Sequence, residues 1–62
     1  MNFWCVTTKF FDSGKVKVNL GRVEADTKPE STMVENKMCD EYRDYFEDYE
    51  EARRFVEDAK RA

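Results

Sequence analysis

Histidine is absent from the 62 residues, and with it goes the side chain that most often serves as general base or metal ligand near neutral pH. Glycine occurs twice and proline once, so there is no glycine-rich loop to cradle a phosphate ahead of a helix. Two cysteines are too few for a disulfide scaffold, and without histidine they do not complete a four-ligand zinc site. Cys5 and Cys39 therefore read as reduced thiols, with a Cys5–Cys39 bridge or a redox role as the lesser alternative. No window approaches the roughly 18 apolar residues of a membrane span. The start Met-Asn-Phe-Trp-Cys has no basic region before its short apolar run, so a signal peptide is not expected either. The expectation is a cytoplasmic, non-enzymatic protein with no metal and no cofactor.

At this length one core supplies only about 3–5 kcal/mol of net stability, which limits the chain to a single domain, 1–62, and makes a homo-oligomer an expected way of completing the core. Charge is polarised along the sequence. Residues 1–22 carry Lys9, Lys15, Lys17 and Arg22 against Asp12 alone, whereas residues 23–62 carry seven Lys and Arg against thirteen Asp and Glu. Such asymmetry bears on partners and association rather than on fold.

Aromatic, β-branched and Thr residues dominate from Phe3 to Phe11, and the same chemistry returns at Val16 after the turn formers Asp12, Ser13 and Gly14. A hairpin over 3–25 follows. With Gly14 in the left-handed position of a three-residue loop, Phe10 pairs with Val16, Thr8 with Val18, Val6 with Leu20 and Trp4 with Arg22. This register puts Trp4, Val6, Thr8, Phe10, Val16, Val18 and Leu20 on one side and Phe3, Cys5, Thr7, Lys9, Phe11, Lys15 and Lys17 on the other. A slip by one residue would mix the two. Beyond Leu20 the alternation turns Arg22 inward unless a bulge intervenes, and Gly21 is the natural place for one. Residues 26–31 are polar, hold Pro29 and read as a connecting loop.

Tyr49, Ala52, Phe55, Val56 and Ala59 keep the spacing of one buried helical stripe, which predicts a helix over 48–61. Asp48 stands in the capping place, acids fill the first turn, Lys60 and Arg61 fill the last, and Glu50 with Arg54 and Glu57 with Arg61 are spaced as i, i+4 pairs. Residues 32–47 allow two readings. A third strand within 38–46 would give the marginal hairpin the neighbour it needs. Alternatively, Val34, Met38, Tyr42 and Tyr45 would extend the helical stripe into one long helix on a dimeric hairpin. The favoured fold class is α+β: a two- or three-stranded antiparallel meander packed on one C-terminal helix, with Trp4, Val6, Phe10, Val16, Val18 and Leu20 against Ala52, Phe55 and Val56.

The run 4–19 (WCVTTKFFDSGKVKVN) and the run 44–52 (DYFEDYEEA), followed by Phe55 and Val56, resemble short proteins of bacteria and their phages. The resemblance covers both ends of the chain. It implies a strand running directly into a helix, and it implies no activity.

Two constellations bear on function. The acids interleaved with tyrosines between Glu35 and Glu51, above all Asp40, Glu41, Asp44, Tyr45 and Glu47, suggest a protein-binding regulator of phage or mobile-element type that docks an acidic, tyrosine-rich surface on a basic partner. The plainer account of the same residues is aromatic core with solubilising acids. On the hairpin's outer side, Lys9 and Lys17 are cross-strand neighbours flanked by Phe3 and Phe11, with Lys15 nearby. Lysines and exposed rings are the ingredients of a single-stranded nucleic-acid platform, but a dimer interface or acids from a neighbouring strand would explain them equally.

Overall fold

The computed structural model describes residues 1–61. Four strands and one helix follow one another as β1 (Asn2–Phe11), β2 (Val16–Glu24), β3 (Thr32–Glu35), β4 (Cys39–Phe46) and α1 (Tyr49–Arg61). The strands form one antiparallel sheet in the order β2-β1-β4-β3, so β1 and β4 are the central pair. This is an α+β fold with a strand running straight into the helix. Its Cα extents of 36 × 22 × 13 Å leave room for only one layer beside the sheet.

The first hairpin has the register that its binary pattern selects, with Phe10 opposite Val16 and Lys9 opposite Lys17. Its turn is closed by Phe11 N–H to the Lys15 carbonyl at 2.9 Å and by Gly14 N–H to the Phe11 carbonyl at 2.9 Å. Gly14 takes φ +91°, a conformation open to glycine and strained for other residues. Gly21 does not bulge: it pairs with Cys5, and the ladder continues unbroken to Asn2 opposite Glu24. The phase shift is unnecessary because Val23, left facing away from the helix, is half-buried there beside its partner Phe3.

Residues 32–46 form two strands. In β4, Tyr42, Asp44 and Phe46 face α1 while Glu41, Arg43 and Tyr45 face away, an alternation that suits a central strand. β3 is a four-residue edge strand, exposed throughout, joined to β4 by a tight turn in which Asn36 N–H donates to the Cys39 carbonyl at 2.9 Å. The other end of the sheet is shaped by the connection 25–31. It leaves β2 at one edge and must reach β3 at the opposite edge, crossing the ends of β1 and β4. Phe3 is 1% exposed on the side of the sheet that carries no helix, beside half-buried Val23 on β2. Ala25 and Pro29 are half-buried within the connection.

The helix begins where Asp48 caps it: Asp48 Oδ1 accepts from Glu50 N–H at 3.2 Å, and the Asp48 carbonyl accepts from Ala52 N–H at 3.2 Å. Glu50 and Glu51 occupy the first turn, Lys60 and Arg61 the last, in agreement with the helix dipole. The exposed ion pair that forms is Arg53 Nε to Glu57 Oε1 at 3.6 Å, rather than the two pairs the spacing suggested. Ala52 is fully buried against the sheet, where Trp4 meets Tyr49 edge-on with ring centroids 4.8 Å apart and Phe46 meets Phe55 at 5.3 Å. The helix packs on β2, β1 and β4 but does not reach β3. Phe10 and Leu20 stay 38% and 36% exposed, and the innermost side chains are Phe3, Val6, Thr8 and Ala52, a smaller core than the pattern alone implied.

Candidate functional site

The acidic, tyrosine-bearing segment is the central strand β4, and strand alternation divides it. Asp40, Tyr42 and Asp44 lie on the helix side of the sheet, while Glu41 and Tyr45 lie on the outer side and Glu47 is exposed in the turn before α1. The five residues singled out from sequence therefore do not share one surface. No Lys or Arg lies within ion-pair distance of Asp40 or Asp44 among the described residues.

On the outer side, Lys17, Lys9 and Glu41 stand in one cross-strand row. Glu41 Oε1 is 3.6 Å from Lys9 Nζ, and Glu41 Oε2 is 3.5 Å from Arg43 Nη2. A neighbouring strand thus supplies Lys9 with a counter-charge that the hairpin alone lacked. Lys17 Nζ sits 5.8 Å from the centroid of the Phe11 ring, a cation–π contact that occupies one face of that ring. Phe3 is buried and has no ring face to offer, and Lys15 is exposed in the turn. The burial of Phe3 and the pairing of Lys9 account within one chain for two features that a dimer interface was offered to explain. Replacing Glu41 by Gln should lower stability by no more than about 1 kcal/mol at low salt, since both cations are partly solvated. The difference should shrink in high salt as screening takes over, which denaturant midpoints at two ionic strengths will show.

The two thiols share the outer side but not a row. Cys5 is opposite Tyr45, while Cys39 is opposite Phe11, six residues further along β1, which at about 3.3 Å per residue separates them by roughly 20 Å. A Cys5–Cys39 bridge is excluded at that separation, and both thiols are free.

The helix side carries a feature that the sequence did not single out. Where α1 runs short of β3, an open cleft of about 390 Å³ remains, lined by Thr8, Phe10, Tyr42, Asp44, Phe55, Asp58 and Ala59. Phe10 and Tyr42 meet edge-on with ring centroids 5.6 Å apart and form one wall. Two strand positions and one helix position bring the polar atoms: Thr8 from β1, Asp44 from β4 and Asp58 from α1. Thr8 is 2% exposed, and its Oγ1 is buried with no hydrogen-bond partner among the described residues. The signal available in the sequence was Thr8 itself, a hydroxyl in the inward set between Val6 and Phe10. Among the described residues no group of three His, Cys, Asp or Glu is placed to hold a metal ion, and no helix is long and apolar enough to cross a membrane.

Compared with known proteins, the chain matches no family model, no curated protein and no solved structure. Geometry and charge carry the functional reading.

Proposed function

We propose that this protein acts by binding, as a small cytoplasmic regulator that docks the helix side of β4, with Asp40, Tyr42 and Asp44, on a basic protein partner. The observation that carries the reading is the placement of two unpaired carboxylates on either side of Tyr42, on the helix side of β4, next to the edge strand β3 that α1 does not reach. Exposed Met33, opposite Tyr42 on β3, extends the same surface with apolar area. Carboxylates around an aromatic centre give orientation and a fast encounter with a basic surface, and the half-buried ring supplies the anchor. Glu41 and Tyr45 take no part, because they face the other way.

A second reading keeps one observation in its favour: Lys9, Lys17 and Arg43 lie on the sheet side that no helix covers, beside Phe11. Single-stranded nucleic acid would bind there. The commitment of Glu41 to two of those cations and the overall charge of −3 weigh against it.

One experiment separates the two. Partners are captured from the native cell extract with and without nuclease, and association is then followed at two salt concentrations. Reversing Asp40 and Asp44 together to Lys should slow association at least about tenfold with little change in dissociation, while Lys17→Glu leaves the complex intact. A complex that is lost on nuclease treatment, weakens with salt along a log–log slope of about −0.7 per phosphate and fails with Lys17→Glu would establish the second reading instead.

A further inference from the structure

We infer that the cleft between β1, β4 and the C-terminal half of α1 binds a small organic cation, an arylalkylammonium with one aromatic body and one ammonium group. This goes beyond the docking reading and does not depend on it. Three features converge. The volume of about 390 Å³ lies within the range of about 300–1,000 Å³ typical of small-molecule sites, far more than a lone ion or a single water needs. The walls are apolar, with Phe10, Tyr42 and Phe55 on three elements and Ala59 leaving space where a larger side chain would fill it. Every ionisable carboxyl on the lining, Asp44 and Asp58, selects positive charge, and no Lys or Arg is within ion-pair distance of either among the described residues.

The alternatives fail on chemistry. A hard divalent cation takes six to eight oxygen ligands, or fewer with waters, and two carboxylates far outnumbered by aromatic carbons do not make such a shell. An anion meets two like charges. A neutral arene would fill the apolar space but would desolvate the carboxylates without replacing their water. A cation with its own aromatic surface answers each wall: ring packs on ring, and the ammonium group lies among carboxylates and ring faces. Entry is open from the side towards β3, where no helix intervenes.

The test uses three probes of equal body and different charge: phenethylammonium, 2-phenylethanol and phenylacetate. Each is titrated into the full chain and followed by amide ¹H–¹⁵N shifts. Phenethylammonium should give saturable shifts centred on Thr8, Tyr42, Asp44 and Ala59, 2-phenylethanol should bind about tenfold more weakly, and phenylacetate should not saturate. Asp44→Asn should weaken phenethylammonium about five- to tenfold and leave 2-phenylethanol unchanged; Asp58→Asn repeats the measurement on an exposed helix position that folding does not need. Equal affinity for cation and alcohol, shifts centred on Lys9 and Arg43 of the outer side, or indifference to both Asn variants would overturn the assignment. Loss of the basic partner with retention of phenethylammonium binding would sink the docking reading alone.

Discussion

Phe3→Ala is expected to remove about 3–5 kcal/mol of stability, the range for truncating a buried aromatic side chain. In a domain of this size that is the whole of the net stability, so the variant should be largely unfolded at 25 °C. The reason lies in the topology. Phe3 is 1% exposed on the side of the sheet opposite α1, where the connection 25–31 is the segment available to cover it. Removing the ring empties the space beneath that connection and frees the short crossing that carries the chain from one sheet edge to the other. Because an unfolded variant gives no midpoint, Phe3→Leu supplies the graded measurement, with an expected loss under about 1.5 kcal/mol. Phe11→Ala, at a half-buried ring on the same side, should be much milder. Far-ultraviolet circular dichroism during urea unfolding checks all three. Should Phe3→Ala and Phe11→Ala unfold at the same midpoint, Phe3 is not the anchor of the crossing.

Thr8→Val should act in the opposite direction. The hydroxyl is buried without a partner, and such a group retains a desolvation penalty of about 1–3 kcal/mol. Valine keeps the branched shape, suits the strand and fills the same place between Val6 and Phe10 without that penalty. A gain of about 1–3 kcal/mol follows, which at roughly 4–8 °C per kcal/mol for a domain of this size should be plain in a thermal melt. Thr8→Ser is the control: it keeps the hydroxyl, removes the methyl group and should destabilise. A Thr8→Val variant that melts below the parent would show that the hydroxyl is satisfied in solution. A gain would mean that the native residue holds stability in reserve at the floor of the cleft, as residues kept for binding often do.

The parts of the fold legible from residue types are those decided locally. Alternation and the three-residue turn together gave Lys9 opposite Lys17, because a slip by one residue would have placed Lys opposite Val16 or Val18 and mixed the two sides. Gly14 marked the turn, Asp48 the helix start and Ala52, Phe55, Val56 and Ala59 the buried stripe. What stayed illegible depends on distant parts of the chain. β3 is short, exposed on both sides and at an edge, so Thr32, Met33, Val34 and Glu35 carry no burial alternation to read. Gly21 suggested a bulge because Val23 would otherwise face water, yet in the finished sheet Val23 is half-buried on that side beside Phe3. Phe3 is buried on that same side, although residue type alone left it exposed. The acidic set divided because Asp40 and Glu41 are adjacent, and neighbours in a strand face opposite ways. The cleft exists because α1 stops short of β3, a relation that no spacing within either element records.

The central position of β1 and β4 sets the order of folding. The first hairpin closes through neighbouring residues and a tight turn, so it forms on the time scale of local structure, about 1–10 μs for hairpins in general. β4 must find β1 across the chain, Trp4 opposite Phe46 and Phe11 opposite Cys39, and pairings between such distant residues slow folding. Until that search ends, the hairpin is a two-stranded ribbon with Val6 and Trp4 unprotected and the outer edges of both β1 and β2 open to other chains. The cation on Lys9 is then without Glu41, and with Lys17 beside it the ribbon carries a repulsive row of charge across its outer side. The facing lysines, one of them matched by Glu41 in the finished sheet, are thus placed to keep half-folded molecules apart during the interval when sticking together is easiest.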